Sequence, residues 1–564
     1  MVVTLPLVLM GVLATVAAES WAAAATKVGP AAAETTVEAR AAATATEMAA
    51  EVGAAAATVA WQDSGRNVLM MVADDAGLEL TTYGNTACRT PHLDALASRA
   101  TVFSRAFTSV SSCSPSRAAL LTGLPTHQNG MYGLHQGVHH FSSFDGVRSL
   151  PGILAAQGLR TGIVGKKHVG PEDVFPFEFA HTEETESVMQ VGRNITRMRQ
   201  LVRRFLASPD PRPFFLYVGF HDPHRCGHTH PQYGAFCERF GDGSPGMGTI
   251  PDWRPDDYGP DDVQVPYFVQ DTPAARQDLA AQYRTISRLD QGVGAMLQEL
   301  GLAGHLNDTL VIYTSDNGVP FAGGRTNLYD PGVVEPLLVS SPAHPASWGT
   351  TSPALTSLLD LTPTVLAWLG VPYPRYSIWP HQPPVTLTGR SLLPFLEPQG
   401  GADCQASEHV TRRGGGAAVF GSHEVHEATM YYPMRAVRTE AYKLIHNLHY
   451  RMPFPVDQDL YLAPAFQDIL NRTTQGRPLP WYTSLDQYYH RHRWQLYDLQ
   501  ADPHERSNVA GKKRYAAPLA RLRARLRAWL AATQDPWRCG PGAVLEDAGP
   551  YAQHPACLPL YNGL

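Results

Sequence analysis

The sequence predicts an α/β fold: a large, mostly parallel sheet sandwiched by helices, followed by a smaller C-terminal α+β part with an antiparallel sheet. Three observations predict it. Apolar runs of strand length recur between residues 67 and 341, as in strands buried on both faces. Helical stretches separate them, the alternation that parallel strands require. Beyond a Pro- and Gly-rich stretch from Gly370 to Gly416, shorter strand-like runs and one long helix replace that alternation.

The chain opens with an apolar stretch, Met1 to Ala14, too short for a comfortable membrane span and followed by small residues. It reads as a secretory signal peptide over residues 1–18. Residues 19–64 are alanine- and threonine-rich and read as a disordered leader or a marginal helix. Residues 65–400 are then the main domain and 401–564 the smaller one.

The first strand is Asn67–Ala73, ending in Asp74-Asp75. Pro91–Ala97 is a helix. Cys113-Ser114-Pro115-Ser116-Arg117 opens the next helix, with Ser114 and Ser116 as caps and Pro115 in the first turn. Leu150–Gly158 is a short helix, and Arg160–Gly165 a strand ending in Lys166-Lys167-His168. Arg193–Leu206 is a basic amphipathic helix whose charges read as a solvated face. Pro213–Phe220 is a strand ending in His221-Asp222-Pro223-His224. Gly241–Asp271 reads as a long loop and Ala274–Leu300 as a long helix. Thr309–Ser315 is a strand ending in Asp316-Asn317-Gly318, and Val333–Ser341 is a fifth. In the C-terminal part Met434–Arg438, Tyr442–His446 and Trp494–Asp498 read as strands and Ala516–Ala532 as a helix.

At 564 residues more than one folding unit is expected. The net charge of -6 gives no general basic footprint, which argues against nucleic acid as a partner. An anionic ligand must be held by a local site. No later stretch is long and apolar enough to span a bilayer. Seven cysteines are too few for a disulfide scaffold. Cys226 and Cys237 could close a small ring and Cys539 and Cys557 could staple the tail, whereas Cys88 and Cys404 have no obvious mate. Sequons at Asn194, Asn307 and Asn471 fit a glycosylated product of the secretory route.

In open parallel sheets ligands bind beyond the carboxyl ends of the strands. One polar strand end is unremarkable, but four of them here carry acids, an amide, a lysine and histidines. Asp74, Asp75, Asp316 and Asn317 offer only oxygen, which suits calcium or magnesium rather than zinc. Cys113 would sit at the mouth of a helix, where the dipole favours an anion. Taken alone, Cys113 would be a buried structural cysteine and Arg325 a surface arginine. Together, Arg117, Lys166, His168, His224 and Arg325 could surround a tetrahedral oxyanion, which points to sulfuryl or phosphoryl transfer. His139 and His140 read as structural or rim residues.

CSPSRAALLTG, Cys113 to Gly123, resembles the signature of the sulfatase family, in which the cysteine is converted to formylglycine. GKKH at Gly165–His168 and SDNG at Ser315–Gly318 reinforce it, and the resemblance covers nearly all of the chain from Asn67 onward. The stretches GLPTHQNGMYGLHQGVHHF, VGRNITRMRQLVRRF, FHDPHRCGH, PYFVQDTPAARQDLAAQY and SDNGVPFAGGRTNLY are similar to the heparan N-sulfatase branch. Many sulfatases have lysine at the Arg325 position, so this arginine suits that branch.

The resemblance implies an alkaline-phosphatase/sulfatase-like sheet. It implies formylglycine at Cys113 and one calcium ion on Asp74, Asp75, Asp316 and Asn317, with the modified Cys113 touching the ion. Arg117 and Lys166 would hold the aldehyde hydrate and the sulfuryl oxygens, and His168 would pair with the hydrate. His224 and Arg325 would contact the sulfuryl group and the leaving nitrogen. The expected reaction is hydrolysis of the N-sulfate of non-reducing-end N-sulfoglucosamine in heparan sulfate or heparin fragments. A carbohydrate O-sulfatase or a phosphohydrolase on the same scaffold is the alternative. A sugar-binding protein in which Cys113 is never modified is a third reading. The resemblance further implies a lysosomal homodimer matured by the formylglycine-generating enzyme and acting on heparan sulfate oligosaccharides.

Overall fold

The apolar runs become strands buried along their whole length. The computed structural model describes residues 65–226, 229–380, 382–397 and 417–560. The signal peptide, the leader, Cys404 and the boundary at 400–401 lie outside the described residues. The main sheet has eight strands: β1 Asn67–Ala73, β2 Thr101–Phe103, β3 Arg160–Gly165, β4 Phe179–Thr182, β5 Phe214–Gly219, β6 Thr309–Ser315, β7 Leu337–Ser340 and β8 Thr350–Ser352. Their spatial order is β8-β2-β7-β6-β1-β5-β3-β4. β6, β1, β5, β3 and β4 are mutually parallel, and only β7 runs against its neighbours.

Period-two alternation divides the core into two layers. Leu69, Met71 and Ala73 of β1 face one layer, covered by the helices Pro91–Ala97, Ile195–Leu206 and Pro273–Leu302. Val68, Met70 and Val72 face the other, covered by Cys113–Thr122, Leu150–Ala156 and Leu361–Leu369. With helices on both faces, no residue of β1 meets solvent, which is why its sequence shows no polar alternation.

Two expectations are corrected here. The strand expected over Val333–Ser341 is broken at Pro336, which has no N–H to give to a ladder. Val334–Glu335 pairs instead with Ala106–Phe107, and only Leu337–Ser340 enters the main sheet. The basic helix begins at Ile195, and Arg193 is not on a solvated face. Arg193 is buried, and its guanidinium pairs with Asp222 and donates to the Phe236 and His224 carbonyls.

The C-terminal sheet is antiparallel throughout: β9 Ala418–His423, β10 Met434–Thr439, β11 Tyr442–Asn447 and β12 Trp494–Asp498, in chain order. Helix Ala516–Ala532 covers one face, with Leu522, Leu526, Trp529 and Leu530 set against Val437, Leu444 and Leu496. All described residues belong to one compact unit. Disulfides join Cys226 to Cys237 and Cys539 to Cys557. Cys88 and Cys113 are buried free cysteines. Asn307 and Asn471 are exposed, whereas Asn194 is half-buried and caps the helix at Ile195 by accepting from the Arg197 N–H. No helix among the described residues is long and apolar enough to cross a membrane.

Candidate active site

Strand register brings the polar ends together. Ala73 lies beside Ser315, Val72 beside Gly219, and Gly219 beside Gly165. Asp74, Asp316, His221 and Lys166 therefore leave the sheet at one edge. The chain turns sharply there. Gly165 adopts φ +98°, and a β-carbon on it would strike the Gly219 carbonyl. Asp75 and His168 are also left-handed, at φ 61° and 58°. Aspartate and histidine are among the few non-glycine residues that enter that region more readily.

The helix that carries Cys113 starts at Cys113 itself, after an extended Ser112 that makes no side-chain cap. Neither Ser114 nor Ser116 caps it, contrary to the sequence reading, because both lie inside the first turn and point elsewhere. Ser114 Oγ accepts from the His135 N–H at 2.9 Å, and Ser116 Oγ donates to the Asp316 carbonyl. Cys113 thus sits uncapped at the floor, with 1% of its surface exposed. Burial, then Asp74, Asp316 and Asp75, push its thiol well above the usual range although Lys166 pulls it down. As a thiol, Cys113 stays protonated and is a poor nucleophile.

Arg117, one turn along, knits three strand ends. Its Nε donates to Asp316 Oδ2 at 2.8 Å, and Nη1 donates to the Tyr217 hydroxyl at 3.0 Å and the Lys166 carbonyl at 3.1 Å. Lys166 Nζ pairs with Asp74 Oδ2. Burial would raise the Asp74 carboxyl, but Lys166, His224 and Arg117 hold it well below the usual carboxylate range. Burial, with Asp74 and Asp316 alongside, pushes Asp75 up to about 8 against the pull of Arg325. Asp316 rises to about 6, mainly through burial, despite Arg117.

Donor atoms of Asp74, Asp75, Cys113 and His224 all lie within 4.8 Å of one another. Asn317 Nδ2 donates to Asp75 Oδ1 at 2.7 Å. Two oxygens here, Asp74 Oδ1 and Asn317 Oδ1, are buried with no hydrogen-bond partner. An orphaned carboxylate oxygen and an orphaned amide oxygen beside a carboxyl that resists ionisation are what a hard cation would satisfy. The residues present fit such an ion. Asp316 is more heavily engaged: Oδ1 accepts from the Asn317 and Asp75 N–H groups and Oδ2 from Arg117.

His224 and Arg325 form the opposite wall. His224 Nδ1 lies 2.7 Å from the Arg225 carbonyl and therefore carries the proton, so Nε2 is left to accept from Arg325 Nη1 at 2.7 Å. Arg325 Nη1 also donates to Asp75 Oδ2 at 2.8 Å, while Nη2 donates to Asp457 Oδ1 at 2.6 Å. Both ring nitrogens of His168 are buried without a partner. Burial, with Lys166 and Arg117 nearby, holds its pKa well below that of a free imidazole. Lys166, His168, His221, His224, Glu184 and Asp459 line a cavity of about 400 Å³. His139 is on its rim.

All the residues singled out from the sequence meet here: Asp74, Asp75, Cys113, Arg117, Lys166, His168, His224, Asp316, Asn317 and Arg325. Four others had no individual signal. Glu183, pushed up to about 8 by burial, lies 2.9 Å from His221 Nδ1. Asp457, the N-cap of the short helix Gln458–Leu462, and Asp459 in its first turn reach Arg325. Glu183 follows β4 and His221 follows β5, but only the strand before His221 was read from the sequence, so only there could position have marked the residue.

A family model described as Sulfatase matches residues 66–371. The chain is 61% identical over 499 residues to N-sulphoglucosamine sulphohydrolase of Homo sapiens, covering 88% of this chain and 96% of that protein. It is 28% identical to arylsulfatase A of Homo sapiens, covering 87% and 94%. Among solved structures, BT4656 in complex with D-glucosamine-2-N,6-O-disulfate is similar with TM-score 0.57 and 19% identity, covering 83% of this chain and 98% of that one. The phosphonate monoester hydrolase of Agrobacterium radiobacter shares the fold at TM-score 0.52 and 20% identity, covering 87% and 99%. Sulfatases generally use a formylglycine and a metal ion. With the parallel sheet, the strand-end cluster around Cys113 and these likenesses in hand, the chain belongs to the sulfatase family.

Proposed function

We propose that this chain hydrolyses the N-sulfate of non-reducing-end N-sulfoglucosamine in heparan sulfate and heparin fragments and releases inorganic sulfate. The observation that carries the reading is the 61% identity over 96% of the human N-sulphoglucosamine sulphohydrolase.

Cys113 is the precursor of a formylglycine, whose hydrate supplies the oxygen nucleophile that a buried, protonated thiol is not. Asp74, Asp75, Asp316 and Asn317, with the modified Cys113 beside them, would hold a calcium ion, which neutralises sulfuryl oxygens and polarises that nucleophile. Lys166 and Arg117 keep fixed positive charge under the developing sulfuryl negative charge, at no cost of reorganisation. Arg325 is clamped by Asp75 and Asp457, so its guanidinium is held in place before substrate arrives. His224 holds its Nδ1–H against a carbonyl, which turns Nε2 toward the side of the departing amine. His168, with both nitrogens free of hydrogen bonds, is the base on the nucleophile's side.

Secretory passage, lysosomal delivery, maturation by the formylglycine-generating enzyme and a homodimer complete the reading. The two disulfides and the exposed Asn307 and Asn471 support the secretory part. The test offers an N-sulfated glucosamine disaccharide beside its 6-O-sulfated and phosphorylated analogues. Sulfate released from the N-sulfated sugar alone is expected. Faster release from an analogue would instead make the chain an O-sulfatase or a phosphohydrolase. Mass measurement of the peptide carrying Cys113 checks the aldehyde, and an alkylatable thiol there would point to sugar binding without catalysis.

A further inference from the structure

Between Arg506 and Gln534 every charged residue is basic, in a chain whose net charge is -6. Most of this charge is borne by the helix Ala516–Ala532 and the turn before it. Lys512, Lys513, Arg514, Arg521 and Arg527 are exposed and make no ion pair with any described residue. The helix Ile195–Leu206 is also rich in arginine, but there Arg199 and Arg203 share Glu299 and Arg197 meets Glu186. That helix is neutralised, whereas Arg521 and Arg527 here have no acidic partner among the described residues.

The arrangement disfavours the isolated helix. Its first turn has no acidic residue, and Lys512-Lys513-Arg514 stand before its positive dipole end. Arg521 with Arg525, and Arg523 with Arg527, are like-charge pairs one turn apart. A bound polyanion would relieve all of these repulsions at once. The helix has no apolar face left for a lipid surface, because Leu522, Leu526, Trp529 and Leu530 are buried against the sheet. None of the basic residues lines the catalytic cavity.

We propose that this strip binds the body of a sulfated polysaccharide chain, apart from the site that takes its end. The proposal rests on the substrate class given above. Arginine forks match sulfate oxygens, and a polyanion lying along the exposed side of this helix would meet Arg521 on one flank and Arg527 on the other.

The test measures binding of a fluorescent heparin dodecasaccharide to the full-length protein by anisotropy, across a salt series. Arg521→Glu/Arg527→Glu is expected to weaken binding at least tenfold, and to lower the slope of log K against log salt by roughly two, as in other polyanion systems. Its turnover of the N-sulfated disaccharide should be unchanged, while KM for long chains rises at unchanged kcat. Arg521→Gln/Arg527→Gln, which spares the helix the reversed charge, should show the same direction with a smaller effect. Unchanged dodecasaccharide binding in both variants would overturn the proposal. So would equally tight, equally arginine-dependent binding of single-stranded DNA or phosphatidylserine vesicles. Binding needs no turnover, so a protein that binds through the strip but releases no sulfate would sink the catalytic reading and leave the strip standing.

Discussion

The two sheets divide the chemistry unequally. In the large sheet β1, β3, β5 and β6 are parallel, so their carboxyl ends share one edge. Asp74, Lys166, His221 and Asp316 meet there because the topology leaves them no other place. In the C-terminal sheet neighbouring strands run in opposite directions, so successive turns fall at opposite edges. Its strand ends therefore do not converge on one edge. Beyond β11, the short helix Gln458–Leu462 and its N-cap send Asp459 and Asp457 to Arg325. Parallel order concentrates the reacting groups, and the antiparallel addition clamps one of them.

The sharpest way to break this contrast is to remove a charge from the parallel edge. Lys166→Ala should lower kcat/KM for sulfate release by about a thousandfold, the scale of losing a preorganised charge at the reacting group. Near-ultraviolet circular dichroism should show the fold kept. Removing the cation comes next: dialysis against a chelator should abolish most of the activity, with calcium restoring it and zinc failing to, since the donors are oxygen. The clamp should matter less than the floor. Asp457→Asn should cost roughly ten- to a hundredfold in kcat/KM, because Arg325 keeps Asp75 but loses one charged partner. Combined with Arg325→Lys the losses should not add, since the two residues share one interaction.

The seam between the regions gives a pH prediction. His127, just beyond the Cys113 helix, lies 2.8 Å from Thr533 Oγ1 and 3.5 Å from Asp535. Burial, only partly opposed by Asp535, lowers it to about 4. The folded pKa is below the unfolded one, so the unfolded chain binds the proton first. The neutral ring's contribution is complete above about pH 6.5 and is lost as pH falls towards 4, by about 3 kcal/mol in all. Urea unfolding at several pH values should show this slope in the native protein and lose most of it in His127→Gln. Smallest of all, Cys539→Ser should cost about 2 kcal/mol of stability and leave turnover unchanged, because that bridge staples a terminal hairpin.

The same contrast explains what could be read from the sequence. Asn67–Ala73, Arg160–Gly165 and Thr309–Ser315 were legible to the residue because burial on both faces removes polar interruptions. Their polar ends were legible for the same reason: a charged pair after six apolar residues, Val68–Ala73, marks where a buried strand meets a site. Ala418–His423 was not legible, since it mixes glycine, serine and histidine and is only partly apolar. Asp457 and Asp459 were invisible because they cap and open a five-residue helix, Gln458–Leu462, too short to show a period, and Arg325 lies 132 residues from Asp457. The serine caps were misjudged because a helix start was inferred from cap residues alone, whereas neighbouring chains claimed both hydroxyls.

The central claim is that residue 113, placed on the floor where parallel strand ends converge, carries out the chemistry. Release of inorganic sulfate from an N-sulfoglucosamine disaccharide, compared between the native protein and Cys113→Ser, tests it most directly. The native protein should turn over and the variant should fall to background while keeping its thermal unfolding profile. Undiminished turnover in Cys113→Ser would contradict the account.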